Sequence, residues 1–310
     1  HGGMPKVDQS ISAGLIANHL RSASDENKFW NIRCLPVCAS TETSISQWIK
    51  DQPFVDKRPR ALFADRQHFG QGQRGRVWYS PKGGIWCSAA IPLFLEKHST
   101  GIFGLAVAVA LAKRLQNSGI SAQIKWPNDL LVKNKKIAGF LPRLTYRGSS
   151  LKMVRIGVGL NVYNNVPIEG ISLAQLLVEK KYQPNYWAAQ VLLAIDCSIR
   201  LLENPKYICE YTYKHLWSRE VKDSVSKETW IVKSINLDGS LTLSSGKLAD
   251  NKFQNYKNIN HRYLPVDSDF LIKKFISGWK PNYIFLVDSE IWPNLILNSK
   301  KIGIPLAIIN

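Results

Sequence analysis

IKWPNDLLVKNKKIAGF, Ile124 to Phe140, reads as a short strand, a Pro-Asn-Asp turn and two further strands, LLV and IAGF, joined by the polar tip Lys133 to Lys136. Proline at 127 biases Trp126 toward extended backbone, which leaves Lys125 near a strand end, where a loop-proximal site would lie. Taken by itself, a lysine there is most often a solvated charge. Two other segments alter that reading. FGQGQRGRVWYSPKGG, Phe69 to Gly84, gathers glycines, arginines and aromatics in a loop that opens into apolar sequence. Gly70, Gly72 and Gly75 would let the backbone turn its N–H groups toward an anion, and Arg74 and Arg76 can add charge-assisted hydrogen bonds. A plain surface loop would have a similar composition. VRIGVGLNV, Val154 to Val162, places Gly157, Gly159 and Asn161 on one strand face by two-residue alternation. Glycine there admits a ligand or another backbone, although a bulge or close strand packing would need it equally.

In order along the chain, AST (Ala39 to Thr41), the glycine-arginine loop, KWPND (Lys125 to Asp129), KIAG (Lys136 to Gly139) and IGVGLN (Ile156 to Asn161) resemble the catalytic domain of biotin protein ligases. The resemblance runs from about Phe29 to Pro265. It implies an α+β fold: a mixed-sheet, biotin/lipoate ligase-like catalytic domain followed by a small SH3-like β-barrel. The implied boundaries are 1–28 for a tag remnant and extension, 29–208 for the catalytic domain and 209–265 for the barrel. The activity implied is formation of biotinyl-5'-AMP from biotin and ATP with Mg²⁺, then transfer of biotin to a lysine of the biotin carboxyl carrier domain of acetyl-CoA carboxylase.

Carried over motif by motif, the resemblance assigns Lys125 and Arg74 to catalysis. Biotin would be held by Ser40, Thr41, Gln67, Gln71, Gly72, Gln73, Trp78 and Lys125, and the nucleotide by Arg74, Arg76, Asn128 and Asn161. The chemistry suits these types. A carboxylate attacking an α-phosphate brings two anions together, so the site needs fixed cations and a water-poor pocket. Ser40 and Thr41 read equally as helix caps, because SISQWIK follows them, and Trp78 reads equally as a core aromatic. The chain also departs from the family pattern. Gln71 and Gln73 stand where arginine is common, and Glu42 where asparagine is common.

Composition fits a globular enzyme: 310 residues, 45% of them hydrophobic, with room for two or three domains. The most apolar stretch, Ile102 to Ala112, is too short to cross a bilayer and reads as a buried helix. HGGM reads as a tag remnant before Met4, and no signal-peptide pattern follows. The roughly two dozen residues after it are too few for a DNA-binding winged helix, since small domains need about 40. Cys34, Cys38, Cys87, Cys197 and Cys209 form no paired metal pattern and read as reduced core thiols, which with the missing leader points to the cytoplasm.

The formal charge is +18, of which residues 1–265 carry +17 (36 Lys and Arg against 19 Asp and Glu). Such an excess can steer acidic partners, among them ATP and an acidic carrier. It also permits nucleic-acid binding, but the basic residues are dispersed and no recognition-helix or zinc-finger pattern accompanies them. Three functions therefore stand: biotin ligase, the chemically related lipoate ligase, and a non-catalytic basic binding protein.

Asn185 to Leu202 reads as a helix, and Asp238-Gly239 marks a hairpin within the expected barrel. Residues 266–310 read as helix, strand, helix, strand, and WKPNYIFLVDSEIWPNL resembles an internal piece of the Kdo transferases of lipopolysaccharide synthesis. Only a fragment of such an enzyme is present, so no transferase activity is expected of it. Asp288 and Glu290 would be remnants of its acceptor side or merely solvated acids.

Overall fold

The structure, a computed structural model, describes residues 10–23, 30–92, 100–147, 150–178, 183–222, 229–245, 269–287 and 293–309. The chain divides into two compact units, 1–219 and 220–310.

The first unit is built on seven strands: β1 (Asn31–Cys38), β2 (Arg60–Gln67), β3 (Ile85–Pro92), β4 (Gln123–Lys125), β5 (Asp129–Val132), β6 (Lys135–Arg147) and β7 (Ser150–Leu160). Their order across the sheet is β1-β2-β3-β7-β6-β5-β4. Only β1 and β2 run parallel; all other neighbours are antiparallel, so the sheet is mixed. Parallel strands require a crossover, and α2 (Thr41–Asp51) supplies it. The antiparallel pairs need only short turns. Between β5 and β6, Lys133 and Asn134 both take positive φ, 50° and 62°, as a two-residue hairpin of that twist demands. Between β4 and β5, the Trp126–Pro127 bond is cis.

The two faces of the sheet have different covers. On one, α3 (Thr100–Asn117) and α4 (Pro184–Leu201) pack together, and α1 (Ala13–Ala23) rests on α4. Helix α3 is apolar nearly all round and buried from Ile102 to Ala112, as the sequence predicts. It approaches β6 closely: a Cβ at Gly104 would stand 3.0 Å from the Pro142 ring. On the other face α2 covers the β1–β3 side, seating Ile45 and Trp48 on Leu62 and Ala90. The remainder of that face lies beneath the glycine-rich loop. Helix α5 (Pro205–Lys214) packs on α3, and residues 215–217 then run beside β4, with Ile124 N–H donating to His215 O and Trp217 N–H to Ile124 O.

In the second unit, β8 (Glu220–Lys222), β9 (Thr229–Ile235) and β10 (Leu241–Ser245) form an antiparallel sheet. Asp238 and Gly239 turn the β9–β10 hairpin, Gly239 at φ +85° with Ser240 N–H on the Asp238 carboxylate at 2.9 Å. These three strands lie where the barrel is expected; 246–268 fall outside the described residues, and no closed barrel is seen among those described. Next come α6 (Asp269–Trp279), β11 (Ile284–Val287), α7 (Pro293–Lys301) and β12 (Leu306–Ile309), with β11 and β12 parallel. Ile272, Ile276 and Leu295 form a small core of their own there. Asp288 and Glu290 lie outside the described residues.

Candidate functional site

Cross-strand register aligns Lys125 (β4), Asp129 (β5), Gly139 (β6), Gly159 (β7) and Trp86 (β3) in one row on the face that α2 shares. Two residues further along these strands, Leu141, Gly157 and Ser88 form the next row. The facing glycines remove two side chains from the middle of the first row, and the Trp78 indole fills that gap. A Cβ at Gly139 would lie 2.7 Å from its ring, and one at Gly159 2.6 Å. Trp86 meets Trp78 edge-on at 6.5 Å. The Lys136 ammonium sits 4.4 Å from the Trp78 ring centroid and 2.7 Å from an Asp129 carboxylate oxygen. Trp86 and Lys136 thus border the indole laterally, and the glycines lie beneath it.

At the far end of the trough, Ser40 caps α2, its hydroxyl accepting from Glu42 N–H at 3.3 Å. The Gln67 carbonyl oxygen accepts from Thr41 N–H at 2.8 Å and from the Thr41 hydroxyl at 3.0 Å, and the Thr41 and Ser88 hydroxyls lie 2.9 Å apart. The Gln67 amide donates to Ser80 Oγ at 2.9 Å, and Ser80 to Trp78 O at 3.0 Å. A chain of side chains therefore joins the helix cap to the loop. Thr41 and Ser88 are buried. Thr41→Val should lower stability by about 1–3 kcal/mol, the cost of leaving buried polar groups unpaired, as a shift of the urea midpoint at unchanged slope.

The loop folds back on itself as a hairpin. Trp78 N–H donates to Gly70 O at 2.8 Å, Gly72 N–H to Arg76 O at 2.7 Å, and Arg76 N–H to Gln73 O at 3.2 Å. A Cβ at Gly70 would fall 2.5 Å from both Ser80 Oγ and Trp78 O, so the hairpin base closes only with glycine there. The Gly72 amide, expected from sequence to face an anion, is spent inside the loop. Gln71 and Arg76 are exposed, Gln73 is half-buried, and the Arg74 side chain lies outside what is described.

Asn128 and Asn161 serve the framework. The Asn128 amide donates to Phe140 O at 2.8 Å, and the Asn161 amide to Lys136 O at 3.2 Å. Glu42 is held by two cations, Arg155 at 3.3 Å and Arg143 at 3.4 Å, and Arg155 also donates to Ser46 Oγ. This pairing accounts for an acid at a position where the family pattern favours asparagine. Sequence reading did not single out Lys136, Ser80, Trp86 or Ser88 as site residues. For Trp86 and Ser88 a signal existed, since two-residue alternation along β3 places both on the face of the glycines.

Lys125 is exposed at the edge of the row, its ammonium 5.2 Å from the Trp217 ring centroid. The row thus has hydrogen-bonding groups at one end and a cation at the other, with the Trp78 indole lying over the glycines between them. Among the described residues no group of three His, Cys, Asp or Glu could hold a metal ion. No described helix is long and apolar enough to cross a membrane. The five cysteines are free; burial and then the Asp65 charge push the Cys34 thiol up to about 12, and burial pushes Cys87 well above the usual thiol range. Both should resist iodoacetamide at pH 8 in the folded protein, as peptide mass spectrometry would register.

Residues 36–161 match the biotin/lipoate A/B protein ligase family, over the segment that builds this trough. That segment is similar to ligases of the family, over less than half of the chain. Its relatives include the bifunctional ligase/repressor BirA of Bacillus subtilis, 36% identical over 128 residues, which are 38% of this chain and 39% of that protein. Across the first relatives the match spans a third to a half of their length. The chain shares its fold with the biotin protein ligase of Aquifex aeolicus, solved with biotin and ATP, at a TM-score of 0.54 and 23% identity, covering 69% of this chain and 91% of that one. Residues 238–310 match a second family, 3-deoxy-D-manno-octulosonic-acid transferase. A probable mitochondrial member from Arabidopsis thaliana is 40% identical over 50 residues, 16% of this chain and 11% of that protein.

Proposed function

We propose that residues 36–161 belong to the catalytic domain of a biotin protein ligase, which joins biotin to ATP as biotinyl-5'-AMP and then transfers biotin to a lysine of a biotin carboxyl carrier domain. The observation that carries this reading is the single row running from the Lys125 ammonium across the paired glycines, with the Thr41–Gln67–Ser88 network behind it. Biotin has a polar ureido head, a flat bicyclic body and a carboxylate tail, an order that supports this reading once the Trp78 indole leaves the glycines it covers.

In this reading Ser40, Thr41 and Gln67 bond the ureido group. The floor of Gly139 and Gly159 takes the bicycle, and Trp78 lifts to become its wall. Lys125 bridges the tail carboxylate and the α-phosphate as charge grows between them. The carboxylate attacks phosphorus, pyrophosphate leaves, and the deprotonated carrier lysine then attacks the acyl carbon and expels AMP. Arg74 and Arg76 belong to the phosphate side, and closure of the 70–78 loop over the mixed anhydride keeps water from it. Asn128 and Asn161 order the strands beneath the nucleotide. Mg²⁺ would neutralise the triphosphate and the departing pyrophosphate, held mainly by substrate oxygens and waters. The β8–β10 sheet is assigned to the SH3-like domain and the protein to the cytoplasm.

The test is pyrophosphate release dependent on added biotin, with lipoate as control. Biotin-stimulated release is expected, and its absence removes the reading. Gln71 and Gln73 hydrogen-bond without charge, so the adenylate should be held more weakly than in a Gln71→Arg/Gln73→Arg variant. Gel filtration after single turnover measures this; equal retention would show that the glutamines cost nothing.

A further inference from the structure

We infer that Trp217 is a positioning residue for Lys125, holding its ammonium at the edge of the trough without neutralising it; this rests on the ligase reading of the site. Lysine carries a flexible four-carbon stem, and an exposed one samples many rotamers unless something restrains its head. Here the head lies 5.2 Å from the Trp217 ring centroid. An aromatic face attracts a cation through its quadrupole. It takes none of the ammonium's three N–H donors, whereas a carboxylate would occupy one and cancel the charge.

The surroundings agree. Asp129 stands directly across from Lys125 in the ladder and is the acid placed to capture it, yet its carboxylate is engaged by Lys136 at 2.7 Å. Trp217 is fixed independently of Lys125: its backbone N–H donates to Ile124 O at 2.9 Å, and its indole N–H to the Asn134 side chain at 2.9 Å on the tight β5–β6 turn. That second bond sets the ring plane. The ring is 38% exposed, so packing alone does not account for so large a side chain there. The backbone pairing with β4 needs no particular side chain, which separates the ring's role from that of the segment.

The experiment compares Trp217→Leu and Trp217→Phe in the full chain by biotin-dependent pyrophosphate release. Leucine should lower kcat about 10-fold with KM for biotin changed less than about 3-fold, the pattern of a contact that matters chiefly in the transition state. Phenylalanine keeps the ring face and should recover most of the rate. In a Lys125→Met background, Trp217→Leu should have no further effect. Equal damage by both replacements, a loss confined to KM, or a full additional loss in the Lys125→Met background would each overturn the inference. A readout independent of catalysis is the ring-current shift of the Lys125 ε-methylene in the NMR spectrum. It should be upfield in the unaltered protein and vanish in Trp217→Leu; an unshifted signal refutes the contact. If the unaltered chain releases no biotin-dependent pyrophosphate, the ligase reading fails, while an upfield shift would still uphold the contact.

Discussion

Lys125→Met is expected to lower biotin-dependent pyrophosphate release by about 100-fold or more while leaving the thermal midpoint within a degree or two. Removing one pre-organised group that stabilises developing charge costs on the order of 10²–10³ in rate. Lys125 is exposed and makes no ion pair among the described residues, so its loss leaves no buried partner stranded. Methionine keeps most of the stem's bulk and removes only the charge. Full turnover by the variant would mean that the α-phosphate is served by another cation and would remove Lys125 from the mechanism.

Gly159→Ala is expected to damage both fold and activity. The added Cβ would stand 2.6 Å from the Trp78 ring, held on its other sides by Gly139, Trp86 and Lys136. Either the indole or the strand must move, and overpacking of this kind costs about 1–3 kcal/mol. Calorimetry should therefore show a lowered midpoint, and biotin turnover should fall further because the floor has narrowed. Combining Gly159→Ala with Trp78→Ala separates the two effects. The double variant should regain much of the stability of Trp78→Ala alone but not the activity. Additive losses of stability would show that Trp78 is not what Gly159 accommodates.

Much of the domain is legible in the chain because its decisive signals are local. The Pro-Asn-Asp turn and the Lys133–Asn134 tip define β4, β5 and β6, and the all-round apolar run from Ile102 makes α3. Alternation in VRIGVGLNV correctly sets Gly157 and Gly159 on one face, and Ser40 and Thr41 at the start of α2 are found as cap and first turn. The remainder depends on partners far apart in sequence. Glu42 meets Arg143 and Arg155, more than 100 residues later, and Trp217 meets Lys125 and Asn134 across more than 80. No window of sequence holds both halves of such pairs. In the glycine loop, hydrogen bonds from Gly72 N–H to Arg76 O and from Trp78 N–H to Gly70 O form a hairpin that engages the Gly72 amide, a pairing glycine content alone does not reveal.

The clasp of Glu42 between Arg143 and Arg155 bears on how ionic strength acts. The Glu42 and Arg155 side chains are only 17% and 19% exposed, and dissolved ions screen such sheltered pairs far less than surface ones. The helix start that carries Ser40 and Thr41 should thus keep its place in half-molar chloride. Long-range attraction of anions to a chain of net charge +18 fades under the same conditions. Inhibition by chloride would then report slower capture of polyanions from solution, with the architecture of the trough intact.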